Sequence, residues 1–542
     1  IRRPFAIRPK QSGGRPAATV PMHSGWAKTA ALGNSPLAVE YRLGNALTQG
    51  EAGHLALPVV HLGGLSGGSA AAMADPTFSS LWELAAEDGA VRGVARRRYA
   101  GARVPLDEET GRFAICLADA AGGFPAAVDA FFAHMLPDVP PGPKWLHDIA
   151  MVGYDYLSDG GQGWDRDVRL LAEWLAPQER RRVALCLHGW YDAIGPYGYD
   201  AKTGRMKDSW TAFGPTRKIP MSPAEINRRL RLARELGFRT LLYFGDGLAS
   251  DSGAPGFRDD WVYRDARGEA VRGWQGPDTY GPTYWLNPAH PEVRAWFLGY
   301  LKAILDAFGP QVDGFVWDET FEAKLGQIAL RPAPAYCDRA MFSLVKDLSA
   351  RVRAADAEKA FLASDCAGLL PDVPGYAMVA HGTYQDTACH PGAWPYGLFP
   401  NWRNVLWSCN WANVSGFNNT RYGVETFGVP VAISNGWGDD RGPSEWTEAE
   451  RGQILGLFRQ RLQRTERVRW LAADPIESLR GDPLPAAEPG LVNWALASRG
   501  SKVQASSEDA PHYPAAGAID GVRDRTGRSE EHTSELQSRF GI

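Results

Sequence analysis

Val312-Asp313-Gly314-Phe315-Val316-Trp317-Asp318-Glu319 decides how the rest of this chain is read. An apolar run of strand length lies between an Asp-Gly pair and two acidic residues, the composition of a short buried strand with polar ends. The segment before it, 291–308, has helical spacing of apolar residues and opens on Pro291. Proline suits a helix first turn, because the N–H it lacks would have no partner there. The segment after it, 336–354, is again helical in pattern. A buried strand between two amphipathic helices is one repeat of a β-α unit.

Further from this stretch the same alternation continues. Strand-length runs fall at 149–156, 183–188, 240–245, 312–317, 360–364, 376–380, 405–409 and 429–434. Helical segments are predicted at 166–175, 223–236, 291–308, 336–354 and 447–467. Eight strands in about 320 residues predict an α/β fold, a TIM-type (β/α)8 barrel with long insertions. An open doubly wound sheet is the alternative, but no GxGxxG or GxxxxGK[ST] loop follows an early strand. Residues 1–140 differ in texture, being rich in Gly, Ala and Pro. Strand-like 94–100 and alternating 111–117 point to a partial β-sandwich-like domain, followed by a short helix at 124–132. The proline-rich 136–143 separates it from a barrel placed at 144–472, and 473–492 reads as a linker.

In such a barrel the functional face lies at the carboxyl ends of the strands. The residues that follow them are Asp155 and Tyr156, then His188, Trp190 and Tyr191, then Asp246, then Asp318 and Glu319. Asp365 follows the fifth strand, His381 and Asp386 the sixth, Asn410 and Trp411 the seventh, Asn435 and Trp437 the eighth. Any one of these could cap a helix. Together, carboxylates, His, Asn and indole rings describe a polar pocket of sugar size, with the rings stacking on C–H faces and the polar groups bonding hydroxyls. Asp155, His188, Trp190, Tyr191, Asp246, Trp317, His381, Asn410, Trp411 and Trp437 are the candidate substrate contacts. The long segment 245–288 reads as a lid or subsite insertion.

The run Asp313-Gly314-…-Asp318 resembles the D-G-x-x-x-D signature on the fourth strand of retaining glycosidases of the α-galactosidase and α-glucosidase type. The resemblance implies a structural role for Asp313 and a nucleophilic one for Asp318. A carboxylate fixed at a strand tip can attack an anomeric carbon and form a glycosyl ester. It also implies an acid/base aspartate after the sixth strand, which is Asp386 here. Asp365 and Glu319 are the alternatives, from barrel families that place this group after the fifth or fourth strand. On this reading the chain cleaves an α-linked oligo- or polysaccharide with no cofactor. A carbohydrate-binding barrel without catalysis, and a polysaccharide lyase or isomerase, are the competing functions.

Asn493-Trp494-Ala495, Val503-Gln504-Ala505-Ser506-Ser507 and Ala518-Ile519-Asp520-Gly521 resemble the opening of a discoidin-like (coagulation factor five/eight type C) domain over 493–527. That resemblance implies carbohydrate binding and a secreted or periplasmic protein. The run from Arg528 to Ser538 resembles a translated sequencing adapter, so 528–542 is read as an artefact, and the start at Ile1 as a missing natural terminus.

The 542 residues carry 58 Lys+Arg against 62 Asp+Glu, a net charge of −4, which argues against nucleic acid as the main partner. With 44 % hydrophobic and 22 % charged residues the chain is a folding one, and it has no apolar run long enough to span a membrane. Trp, at 20 residues, outnumbers Tyr at 18, and indole rings suit both cores and sugar stacking. The six cysteines form no CxxC pair, and no HExxH, EF-hand or GxSxG motif occurs, so no metal site and no serine nucleophile are expected.

Overall fold

The strands of the central sheet are runs in which nearly every side chain is buried, the pattern of a sheet covered on both faces. The computed structural model describes residues 2–7, 16–21, 27–33, 36–41, 54–55, 58–65, 68–75, 80–87, 90–96, 112–118, 123–135, 143–157, 163–264, 268–273, 279–318, 320, 328–329, 335–363, 376–379, 405–408, 412, 417–422, 424–425, 430–436, 441–463 and 474–475. Its parallel strands are β1 (Met151–Asp155), β2 (Val183–Leu187), β3 (Arg239–Asp246), β4 (Gly314–Asp318), β5 (Ala360–Ala363), β6 (Tyr376–Val379), β7 (Val405–Ser408) and β8 (Val431–Asn435). Hydrogen bonds join six of them in the order β5-β4-β3-β2-β1-β8. The remaining two form a parallel pair, with β6 beside β5 and β7 beside β8.

The long helices between and after these strands are α1 (Gly163–Trp174), α2 (Pro223–Glu235), α3 (Pro291–Phe308), α4 (Cys337–Ala355) and α5 (Glu448–Gln463). Their starts are chemically marked. Ser222 Oγ accepts from Glu225 N at 3.2 Å and His290 Nδ1 from Glu292 N at 3.2 Å, each satisfying an N–H that the first turn leaves unpaired. Their inward faces follow the expected spacing: Trp164, Val168, Leu171 and Ala172 on α1, and Val293, Phe297, Tyr300, Leu301 and Ile304 on α3. Asp167 of α1 accepts from Asn435 Nδ2 and, at 3.0 Å, from Ser444 N, tying this helix to the chain beyond β8.

Asp313 and Gly314 show why the Asp-Gly pair opens β4. Asp313 accepts from Thr240 N at 2.9 Å and pairs with Arg239 at 3.0 Å and Arg234 at 3.2 Å, which sets β4 against β3. Gly314 lies opposite Ala360, and a Cβ on it would stand 2.6 Å from the Ala360 carbonyl oxygen, so no larger residue fits without moving β5.

Before this sheet, two largely antiparallel sheets occupy the first part of the chain. One runs Arg2–Ile7, Ala90–Arg96, Ser80–Glu87, Leu37–Tyr41 and His54–Leu55. The other runs Phe113–Ala118, Gly68–Ala74, Val59–Leu65, Ala17–Pro21 and Ala27–Ala31, and Asp474–Pro475 adds to its edge. The strand expected at 94–100 runs instead over Ala90–Arg96, because its pairing with Ser80–Glu87 through residue 90 fixes the register. The helix expected at 124–132 spans Gly123–Met135.

Insertions surround the carboxyl ends of β2 and β3. After β2, Tyr199–Asp200 pairs with Arg205–Met206 across an exposed turn, and Trp210–Ala212 pairs with Ile219–Met221. After β3, Ala249–Asp251 pairs with Thr283–Trp285 within the segment expected as a lid. Cys116, Cys186 and Cys337 are free thiols. Among the described residues no helix is long and apolar enough to cross a membrane.

Candidate active site

Asp318 is the last residue of β4, buried to 7 % exposure, and it lies directly across from Asp246 at the end of β3. That pairing depends on an irregularity. The register between β3 and β4 shifts between Tyr243 and Gly245, so that Gly245 faces Trp317 and Asp246 faces Asp318. In a regular strand Tyr243 and Asp246, three apart, would point to opposite faces. The bulge turns them to the same side, as such insertions do next to active sites.

The result is a chain of hydroxyls and carboxylates. Tyr243 Oη lies 2.8 Å from Asp246 Oδ1 and 2.9 Å from Asp318 Oδ2, while Tyr197 Oη donates to Asp246 Oδ2. Burial pushes the Asp246 carboxyl up to about 6 and the charge on Asp318 adds to this, while the bonds from Tyr197 and Tyr243 oppose it. Tyr197 and Tyr243 are both held well above the usual phenol range, first by burial and then by the Asp246 charge. Burial, with the Asp318 charge behind it, likewise raises the Cys186 thiol on β2. Tyr243 and Tyr197 were not legible as site residues. The one signal was Gly245 inside a strand pattern, which marks a bulge.

Two of the predicted sugar platforms are core residues instead. Trp190 and Trp317 are fully buried. Trp190 Nε1 donates to Tyr243 O at 3.0 Å, Tyr300 Oη donates to Phe244 O at 3.0 Å, and Trp317 Nε1 donates to Gly247 O at 2.8 Å. A bulge breaks ladder bonds and leaves carbonyls that burial makes costly unless paired. The indoles thus serve the backbone that aims Asp246. Tyr191 is also packed, with its ring centroid 5.2 Å from that of Tyr197 and 4.7 Å from that of Phe213.

Asp155 ends β1, and His188 directly follows the neighbouring β2. The His188 ring lies between Tyr156 and Tyr243, with centroids 3.9 Å and 3.5 Å away, and so shares the tyrosine that joins the two carboxylates. Asp155 Oδ1 accepts from Leu157 N at 2.7 Å, in a turn where Leu157 takes a left-handed φ of 55°. Asp155 is thereby engaged in shaping the end of β1. Glu319, Asp365, His381, Asp386, Asn410, Trp411 and Trp437 lie outside the described residues.

Asp260, His290 and Glu292 bring three ligand-type atoms within 4.8 Å of one another. Each is already engaged: Asp260 and Glu292 with Arg258, at 2.6 and 2.7 Å, and His290 with the start of α3. This cluster fits a helix terminus and gives no reason to place a metal.

No protein family model matches the chain, and no curated protein sequence does. Solved structures do. The GH36 α-galactosidase AgaB from Geobacillus stearothermophilus aligns over 85 % of this chain and 62 % of its own, with a TM-score of 0.54 and 11 % identity. The cycloalternan-degrading enzyme from Trueperella pyogenes aligns over 85 % of this chain and 66 % of its own, with a TM-score of 0.53 and 13 % identity. The GH36 α-galactosidase AgaA from Geobacillus stearothermophilus, with a TM-score of 0.52 and 11 % identity, covers 84 % of this chain and 61 % of its own, and variants of it have been solved with stachyose and with raffinose. At these identities the likeness is one of fold, and the chain spans about three fifths to two thirds of the length of these enzymes.

Proposed function

We propose that this chain is a glycoside hydrolase that cleaves α-linked oligosaccharides, with Asp318 as the nucleophile. The observation that carries the reading is Asp318 itself: a buried carboxylate at the carboxyl end of the fourth parallel strand, beside a second carboxylate and a hydroxyl that reaches both. In this reading β6 and β7 close the sheet into an eightfold barrel over 144–472, the preceding sheets form a β-domain over 1–140, and the segment 493–527 belongs to a discoidin-like carbohydrate-binding module of a secreted or periplasmic enzyme. The fold shared with α-galactosidases, and the oligosaccharides those enzymes have been solved with, support a substrate of that class.

The chemistry is a double displacement. Asp318 attacks the anomeric carbon as the glycosidic bond breaks, and Asp386 gives its proton to the departing oxygen. Asp386 then takes a proton from water, whose oxygen attacks the glycosyl ester and releases Asp318. Retention of configuration follows from two inversions. The test is hydrolysis of a panel of 4-nitrophenyl α-glycosides by the intact chain. Turnover by the parent protein that Asp318→Asn abolishes supports the reading, and undiminished turnover by that variant overturns it.

A further inference from the structure

We propose that Asp246 is a positioning residue that carries a proton, and that this proton commits the Tyr243 hydroxyl to Asp318. The proposal rests on the reading of Asp318 as nucleophile and concerns how its charge is controlled.

The geometry forces a choice of protons. Tyr243 Oη stands at hydrogen-bond distance from Asp246 Oδ1 and Asp318 Oδ2, yet a hydroxyl has one proton to donate. With both carboxylates ionised, one of the two contacts is an oxygen facing an oxygen with nothing between them. Tyr197 cannot supply the missing proton, since its own is directed at Asp246 Oδ2. One proton on Asp246 Oδ1 resolves the conflict: Asp246 donates to Tyr243, and Tyr243 donates to Asp318. Two carboxylates so close share protonation as a pair.

The groups around Asp246 agree with this arrangement. Tyr197 faces it from the insertion after β2, with the Tyr191 ring packed behind Tyr197, Tyr243 faces it from its own strand, and Asp318 from β4. Tyr300 of α3 faces it as well, with its proton directed at Phe244 O, while Cys186 and His188 of the β2 region adjoin Asp318 and Tyr243. These are neutral or acidic groups apart from His188. Burial and the neighbouring Asp318 charge place the titration of Asp246 at about 6.

While Asp246 holds its proton, the Tyr243 bond orients the Asp318 carboxylate for attack and stabilises it again as it leaves the glycosyl ester. Loss of the proton divides that bond between two anions and sets a second negative charge beside the nucleophile. Activity therefore declines as the pH rises through about 6, by about tenfold per unit for a single proton.

The experiment records pH–rate profiles of the intact chain and its variants on 4-nitrophenyl α-glycosides, with infrared spectra over the same pH range. In Asp246→Asn the amide N–H donates to Tyr243 at every pH, so the limb near 6 disappears whatever the absolute rate. Tyr197→Phe removes a donor that favours the ionised form, and moves the limb upward. In the infrared, the parent protein shows a carboxylic-acid C=O band that bleaches as the pH passes about 6, absent from Asp246→Asn. A normalised Asp246→Asn profile that superimposes on the parent's, or a titrating band that survives the substitution, overturns the proposal. Loss of the glycosidase reading shows separately, as undiminished turnover by Asp318→Asn, and the infrared band still decides where the proton resides.

Discussion

Tyr243 donates to whichever carboxylate lacks its own proton, and the Tyr197 hydroxyl does not replace it, being directed at the far oxygen of Asp246. Tyr243→Phe therefore leaves two acids without their shared partner. A hydrogen bond to a charged group is worth about 1.5–3 kcal/mol, so kcat on aryl glycosides should fall on the order of 10- to 100-fold while the fold persists. Asp318→Asn removes the carboxylate proposed as nucleophile, and turnover should fall by more than about 10³-fold with little change in melting temperature. The position of Asp318 at the carboxyl end of its strand was legible at this scale, because the apolar run stops there. Trp190 and Trp317, named from the same strand order, are fully buried with their indole N–H groups on backbone carbonyls, a fate that position along the chain does not reveal. The tyrosines that connect the acids left no trace beyond Gly245.

The strand that carries Asp318 is held in register at its other end. Gly314→Ala would drive a methyl group against the Ala360 carbonyl, an atom of backbone that cannot rotate away. Overpacking of this kind costs about 1–3 kcal/mol, read as a lowered urea midpoint at unchanged slope. Activity should fall with it, since the β4 register sets where Asp318 stands. Asp313→Ala removes the acceptor for Thr240 N and the partner of Arg234 and Arg239. Both arginines are partly exposed and can rehydrate, so the cost should be about 1–3 kcal/mol. Elements were the most legible scale. The eight strands and five helices lie within a few residues of their predicted bounds, because long apolar runs and helical periodicity are local signals. The antiparallel strands before residue 140 were mostly missed, since short Ala- and Gly-rich runs gain their structure from cross-strand partners rather than from pattern.

Two buried groups give the whole molecule opposed responses to pH. Asp246 titrates higher when folded, at about 6, than in the unfolded chain, so the stability it contributes is complete below the ordinary carboxylate range and is lost as the pH rises through 6. His61, on Val59–Leu65, has neither ring nitrogen hydrogen-bonded among the described residues, and burial lowers its pKa. Its contribution is present above 6.5 and is lost as the pH falls. Asp246→Asn should therefore raise the melting temperature at pH 7 more than at pH 4, and His61→Phe should do the reverse, as checked by calorimetry at both values. The pairing of β1 with both β2 and β8 has a mechanical consequence of its own. Everything from the first parallel strand to the last is stitched back to its beginning, so one scission of the backbone frees neither half. Trypsin cutting at Lys202 or Arg205, exposed on the turn after β2, should yield two fragments on a denaturing gel that still elute together from a sizing column.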